Sequence, residues 1–349
     1  MKEGYRLLGD FIQPVDERNR DLKVDYLLGV SISKQFIPSI ANIVGTDLSS
    51  YKIVRTGQFA YGPVTSRNGE KISIALLQDK DCIISSSYTV FEVTDNERLD
   101  PEYLMLWFSR PEFDRYTRYM SHGSVREIFD WDELCKVELP VPSIEKQRGI
   151  VKAYNTITDR IELKRKINDN LEAVLAASHS KMFFSKDTSE RSKLGELMTF
   201  GNGKSRPKTD GPIPVYGGNG VLSYTDHHNI ENAVLIGRVG AYCGSVYLEQ
   251  GICWVSDNAI FAKSKITKDE FFDYFLLKRL NLFNHHVGTG QQLLTQEILN
   301  NIEVPKPVTE QIELFNRKAA SVFETIFINS REIIRLQELS DLLLSRLAG

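Results

Sequence analysis

The chain has 349 residues, 42% hydrophobic and 26% charged, with a formal net charge of -3. That length accommodates two domains, each with its own core, and the composition is that of an ordinary globular protein. The slightly acidic balance counts against binding nucleic acid through overall charge, so any DNA-binding face must be local. No apolar run approaches the ~18 residues of a membrane span. The start, Met1-Lys2-Glu3-Gly4-Tyr5-Arg6, has no apolar signal core, so the expected location is the cytoplasm, with no membrane partner. Cys82, Cys135, Cys243 and Cys253 form no Cys-x-x-Cys pair and read as reduced thiols packed as small apolar groups.

Taken in chain order, residues 1–143 read as a first domain of strands, turns and a helix. Lys52-Ile53-Val54-Arg55 is a strand running into the turn Thr56-Gly57. Asp100-Pro101-Glu102 opens a helix, with proline just inside its start and Tyr103, Leu104, Leu106, Trp107 and Phe108 following. Pro140-Val141-Pro142 ends a short strand, because proline cannot continue a ladder and restricts the residue before it. Residues 144–186 then turn to helix formers, with a seam at Ile150, Tyr154, Ile157, Ile161, Lys164, Asn168, Leu171, Leu175, Ser178 and Met182. Residues 187–307 repeat the first pattern. Ala233-Val234-Leu235-Ile236 precedes Gly237, Lys268-Asp269-Glu270 opens an aromatic helix, and Pro305-Lys306-Pro307 closes the segment. In residues 308–349 a 3–4 alternation runs through Ile312, Phe315, Ala319, Val322, Ile326, Asn329, Ile333, Leu336, Ser340, Leu343 and Leu347, the spacing of a coiled-coil seam.

The most informative feature is that the chain repeats itself once. Leu8-Gly9-Asp10 is echoed by Leu194-Gly195-Glu196, and Cys82-Ile83-Ile84-Ser85 by Cys253-Trp254-Val255-Ser256. Gly123 to Pro142 runs parallel to Gly288 to Pro307. The expected fold class is α+β: two similar α/β domains separated by two long helices packed as an antiparallel coiled coil. Each helix is about 60 Å long at 1.5 Å per residue. The polar seam residues Lys164, Asn168 and Asn329 either set the register, as buried polar residues do in coiled coils, or face solvent where the helices splay.

Two globular repeats, each followed by a long helix, resemble the specificity subunits of type I restriction–modification systems. Local strings add to the resemblance: Phe59 to Lys71 in the first copy, and Pro214 to Val221, Ile236 to Gly244 and Val255 to Ala259 in the second. The resemblance implies that each copy is a target-recognition domain reading one half of a split site in double-stranded DNA, and that the helices set the gap. It further implies two methyltransferase subunits bringing S-adenosylmethionine, and restriction–translocase subunits using ATP. This chain itself would bind no cofactor and carry no catalysis.

Base reading needs paired donors and acceptors on protruding loops, with hydroxyls, lysines and amides holding phosphates. The candidates in the first copy are Arg18, Arg20, Arg55, Tyr61, Ser66, Arg67, Asn68, Ser87 and Tyr88. Those in the second are Lys204, Ser205, Arg206, Tyr216, Asn219, Arg238, Tyr242, Asn258 and Gln291. Catalytic motifs are not found. Gly201-Asn202-Gly203-Lys204-Ser205 has Met198 where a phosphate loop requires glycine, no Gly-x-Gly-x-x-Gly follows a strand, and neither His227-His228 nor His285-His286 has a completing metal-ligand spacing. The competing classes are a coiled-coil scaffold that binds protein and a self-sufficient DNA methyltransferase or nuclease.

Overall fold

The structure, a computed structural model, describes residues 4–39, 45–66, 68–123, 126–185, 190–288 and 290–348. The chain forms two compact units, residues 1–163 with 333–349, and residues 164–332. In the first, β1 (Tyr5–Leu7), β2 (Ile12–Val15), β3 (Leu28–Val30), β4 (Phe36–Pro38), β5 (Lys52–Val54), β6 (Phe59–Tyr61), β7 (Ile74–Leu76), β8 (Cys82–Ile84) and β9 (Thr89–Val93) precede three short helices. These are α1 (Pro101–Phe108), α2 (Pro111–Met120) and α3 (Trp131–Cys135), and β10 (Glu138–Pro140) and the long α4 (Ile144–Phe184) follow. The second unit runs β11 (Arg191–Lys193), α5 (Leu194–Leu197), β12 (Met198–Asn202), β13 (Ile213–Gly217), β14 (Gly220–Thr225), β15 (Ile230–Gly237), β16 (Val246–Val255) and β17 (Ala259–Ser264). Then come α6 (Phe271–Arg279), α7 (Gln296–Asn301), β18 (Glu303–Pro305) and the long α8 (Thr309–Ser345). Each long helix gives one part to each unit.

The sheets are built alike. The first unit has the strand order β2-β9-β6-β7, and the second opens its six-stranded sheet as β12-β17-β15-β16 before adding β13 and β14. A separate two-stranded ribbon closes each unit, β1 with β10 and β11 with β18, both antiparallel. After each ribbon the amide of the next residue bonds the same way, Leu8 N to Val137 O at 2.8 Å and Leu194 N to Ile302 O at 2.9 Å. The following glycine is then pressed against the short helix that precedes the closing strand. A Cβ on Gly9 would lie 2.9 Å from that of Cys135, and one on Gly195 would lie 2.5 Å from Asn300 Oδ1. The two short helices are capped at equivalent residues. Asp130 accepts from Glu133 N at 2.9 Å, and Thr295 from Ile298 N at 3.2 Å.

An aromatic core fills the first unit, where Phe59 stacks on Phe91 at 4.8 Å and Phe108 meets Phe113 at 4.7 Å. The end of α8 joins it through Leu344 and Leu347, beside Val151 of α4. In the second unit α4 and α8 run antiparallel. Lys164 reaches Asn329 at 2.9 Å, Asn168 the carbonyl of Ile326, and His179 the ring of Phe315, so rising numbers on one helix meet falling numbers on the other. The polar seam residues face one another: Asn329 also donates to Asn168 at 2.9 Å, and Lys164 lies 2.8 Å from Glu332. Near the end of α8 the buried position is Leu344, with Leu343 only half-buried.

A buried side-chain amide helps tie each globular part to its long helix. Gln147 of α4 is buried, accepts from Asp100 N at 2.9 Å, and donates to Arg98 O at 3.0 Å and Pro142 O at 2.8 Å. Asn316 of α8 is buried likewise, accepts from Phe272 N at 2.9 Å, and donates to Asp269 O and Thr267 Oγ1, each at 2.9 Å. In both units the amide serves the backbone at the start of the core helix, α1 or α6.

Candidate nucleic-acid interface

Both units carry the same framework of loops. The first loop leaves β6 at Gly62 and returns at Ser73; its counterpart leaves β15 at Gly237 and returns at Ser245. The closing bond is the same, Gly62 N to Ser73 O and Gly237 N to Ser245 O, each at 2.9 Å. Both mouths are tight: a Cβ on Gly237 would come within 2.1 Å of the Tyr242 carbonyl oxygen, and one on Gly62 within 2.7 Å of Ser73 Oγ. A second loop braces the first. Ile128 bridges both Val64 and His122, and Leu293 bridges both Val239 and Val287. Thr65 N donates to Glu127 O at 2.9 Å and Gly240 N to Gln292 O at 3.1 Å. The turn into β9 is closed by Tyr88 N to Ser85 O at 3.1 Å, and that into β17 by Ala259 N to Ser256 O at 3.0 Å. Finally, the β3–β4 hairpin stands where the β13–β14 hairpin stands, each leaning in parallel on the cysteine-bearing strand through Leu27 with Ile83 or Val215 with Trp254.

In the second unit this framework gathers most of the expected residues. Asn219 is exposed at the tip of the β13–β14 hairpin. Beside it, a Cβ on Gly218 would lie 3.6 Å from Tyr242 Cβ and 3.7 Å from Asn258 O. Arg238 N donates to Asn258 O at 3.0 Å. The guanidinium of Arg238 is half-buried, and its Nε meets no acceptor among the described residues. Tyr242 is 52% exposed, and Asn258 and Gln291 are exposed. Lys204, Ser205 and Arg206 follow β12; Lys204 bridges Ser256, and Arg206 lies along β14, donating to Ser223 Oγ at 3.1 Å and Leu222 O at 3.3 Å. Tyr216 stands back from this group. It is half-buried and its hydroxyl donates to Glu249 at 3.0 Å; burial and the adjacent carboxylate raise its pKa.

In the first unit Asn68, Ser87 and Tyr88 line one cleft of about 200 Å³ with Gly62, Ser73 and Arg126. Ser66 is exposed beside it, whereas Arg67 lies outside the described residues. Arg126 was missed in the sequence, although it stands at the position of Gln291 in the aligned repeat. Arg18 and Arg20 follow β2 as Lys204 and Arg206 follow β12. Arg18 donates to Ser50 O at 2.8 Å and pairs with Asp16 at 2.7 Å, while Arg20 is exposed.

Two expected residues belong elsewhere. Tyr61 has no exposed surface; its ring meets Phe91 in the core, because both faces of β6 are covered, and burial raises its pKa. Arg55 is held by hydrogen bonds to Glu17 and to Asp81, the latter at 2.7 Å, and these bonds raise its pKa. Its donors are committed to carboxylates of its own chain.

Among the described residues no three His, Cys, Asp or Glu side chains come together as a metal site requires, and no helix is long and apolar enough to cross a membrane.

A model of the type I restriction modification DNA specificity domain matches the chain twice, over residues 39–173 and 186–341, and the chain belongs to that family. It is 22% identical over 296 residues to the type I restriction enzyme MjaIX specificity subunit of Methanocaldococcus jannaschii, covering 70% of this chain and 68% of that one. It is 25% identical over 150 residues to the HindI specificity subunit of Haemophilus influenzae, covering 41% of this chain and 31% of the relative. The crystal structure of the type I restriction–modification S subunit from M. genitalium has the same fold, with a TM-score of 0.63 at 17% identity, covering 99% of this chain and 96% of that one.

Proposed function

We propose that the chain is the non-catalytic DNA-reading subunit of a type I restriction–modification complex, in which residues 1–143 and 187–307 each read one half of a split site in double-stranded DNA. The observation that carries this is the loop framework built twice, around unlike side chains. One half would be read with Arg126, Asn68, Ser66, Ser87 and Tyr88, and with Arg67 from the same loop. Arg18 and Arg20 would hold its phosphates. The other half would be read with Asn219, Arg238, Tyr242, Asn258 and Gln291, with Lys204, Ser205 and Arg206 on phosphates. Arginine and asparagine are suited to guanine and adenine edges in the major groove, and hydroxyls and lysines to the backbone.

In this reading, residues 144–186 and 308–349 set the gap between half-sites and dock two methyltransferase subunits, which carry S-adenosylmethionine. ATP-using restriction subunits join that assembly. The near-neutral charge of the chain supports a division of labour in which partners supply many of the phosphate contacts. The test is to express the chain with its methyltransferase in a host lacking the system and to sequence modified bases. The expected result is a split motif with two defined halves and a fixed gap. An assembled complex that modifies no defined sequence would overturn the reading and favour a protein-binding scaffold.

A further inference from the structure

The loop from Pro63 to Ile72 is held by a device different from that of its counterpart. In the second unit the loop Arg238–Gly244 is fastened to the β13–β14 hairpin by small groups at close range, with Ser245 Oγ donating to Gly218 O at 2.5 Å. In the first unit a charge pair does this. Asp114 of α2 accepts from Lys34 Nζ at 2.6 Å and, with the same oxygen, from Ile72 N at 3.2 Å. Lys34 belongs to the β3–β4 turn, where its backbone is left-handed at φ 62°, and its side chain passes over Phe113. The two side chains are only 9% and 10% exposed.

One carboxylate thus joins the hairpin tip, α2 and the exit of the loop. The entrance is fixed from the end of the same helix, where Thr65 Oγ1 lies 2.9 Å from Ser121 Oγ. Between these fastenings Ser66 and Gly69 are exposed and Asn68 half-exposed. A buried ion pair is a costly way to fill a core, where apolar side chains of similar volume usually serve as well or better. What this pair supplies is direction: it aims at a main-chain amide and fixes where the loop ends.

We propose that Lys34 and Asp114 are positioning residues that set the sequence specificity of the first recognition domain, by fixing the loop between Thr65 and Ile72 against the β3–β4 hairpin. The inference rests on the DNA-reading function proposed above.

The experiment is base-modification sequencing of the complex carrying the unmodified chain, Asp114→Asn or Lys34→Met. Asparagine keeps an acceptor for Ile72 N but loses the charge, and methionine removes only the ammonium. The expected result is about tenfold greater modification of sites with one wrong base in one half of the motif, with the other half as strict as before. Thermal unfolding and assembly with the methyltransferase are checked in parallel; if Asp114→Asn does not fold, Lys34→Met at the hairpin turn carries the same readout. A split motif that both folded variants read as strictly as the unmodified chain, or that loosens equally in both halves, would overturn the inference alone. Absence of a split motif with the unmodified chain would overturn the function on which it rests.

Discussion

Lys164 donates to Asn329 across the helix pair of the second unit at 2.9 Å, and Asn329 is buried. The contact forms a polar cluster with Asn168 and Glu332 in a largely apolar seam. Asn329→Leu should therefore destabilise the chain by about 1–3 kcal/mol, because Lys164 and Asn168 each lose a bond in a part-buried setting. The triple variant Lys164→Leu, Asn168→Leu, Asn329→Leu should recover part of that loss, since it removes the groups that bond one another while taking the Lys164 ammonium away from Glu332. Chemical denaturation of the three proteins decides the matter; a triple variant less stable than the single one would refute it.

The amide ties predict a second pair of effects. Gln147→Ala strands Asp100 N and the carbonyls of Arg98 and Pro142, and Asn316→Ala strands Phe272 N. Each should cost about 1–3 kcal/mol. Hydrogen exchange should show the loss at the start of α1 in one variant and of α6 in the other. Uniform loss of protection across the chain would contradict the local role given to these amides.

Two buried ionisable groups of the second unit give its stability a pH profile. Burial pushes the Asp273 carboxyl up to about 8, against a weaker opposing pull from the Ser264 side chain. The folded form therefore holds a proton that the unfolded form releases, and stability falls as pH rises from the ordinary carboxylate range to about 8. His179, surrounded by Phe183, Phe184, Phe272, Phe275 and Phe315, is held down to about 3 by burial, with the Arg279 charge adding to the effect. The unfolded form takes up a proton there first, so stability falls as pH drops from 6.5 toward 3. The two slopes oppose each other in the overlap, and between pH 6.5 and 8 that of Asp273 acts without that of His179. Asp273→Asn should flatten the profile in that interval. Melting temperatures measured across it that fall as steeply in the variant as in the parent would exclude the assignment.

The repeat-related thiols should be chemically silent. Cys82 and Cys253 are fully buried, and burial pushes each up to about 12. The thiolate is the reactive form, so iodoacetamide at pH 8 should label neither in the folded chain and both after unfolding. Mass spectrometry of the labelled peptides checks this, and rapid labelling of either in the native protein would show that its strand opens.

What could be read from the sequence was whatever the duplication repeats in a contiguous stretch. Gly123 to Pro142 against Gly288 to Pro307 marked two equivalent stretches, each ending in a short strand before its Pro-x-Pro, while the bracing loop and the capped short helix emerge only in the fold. The long helices announced themselves because their seams follow one period for many turns. The loop glycines and their polar neighbours were legible too, and the structure brings the backbone around Asn219, Arg238, Tyr242 and Asn258 together, with Gln291 exposed on the bracing loop. Tyr61 and Arg55 have surroundings that their neighbours in the sequence do not announce. Tyr61 is polar at one atom, and a strand covered on both faces has no alternation to expose the error. Arg55 is neutralised by Glu17 and Asp81, which are distant in sequence. Lys34 and Arg126 were passed over because the β3–β4 hairpin and the Arg126 loop acquire their meaning only from what folds against them.

The bond that closes each loop, from Gly62 to Ser73 and from Gly237 to Ser245, runs between main-chain atoms. It is indifferent to the length and the chemistry of what it encloses, and the two loops already differ in both. A new loop inserted at that mouth would need a glycine before it, a small residue after it and a segment that meets the bracing loop as Thr65 and Gly240 do. The two halves of one gene can in this way carry different loop surfaces on sheets that share one strand order.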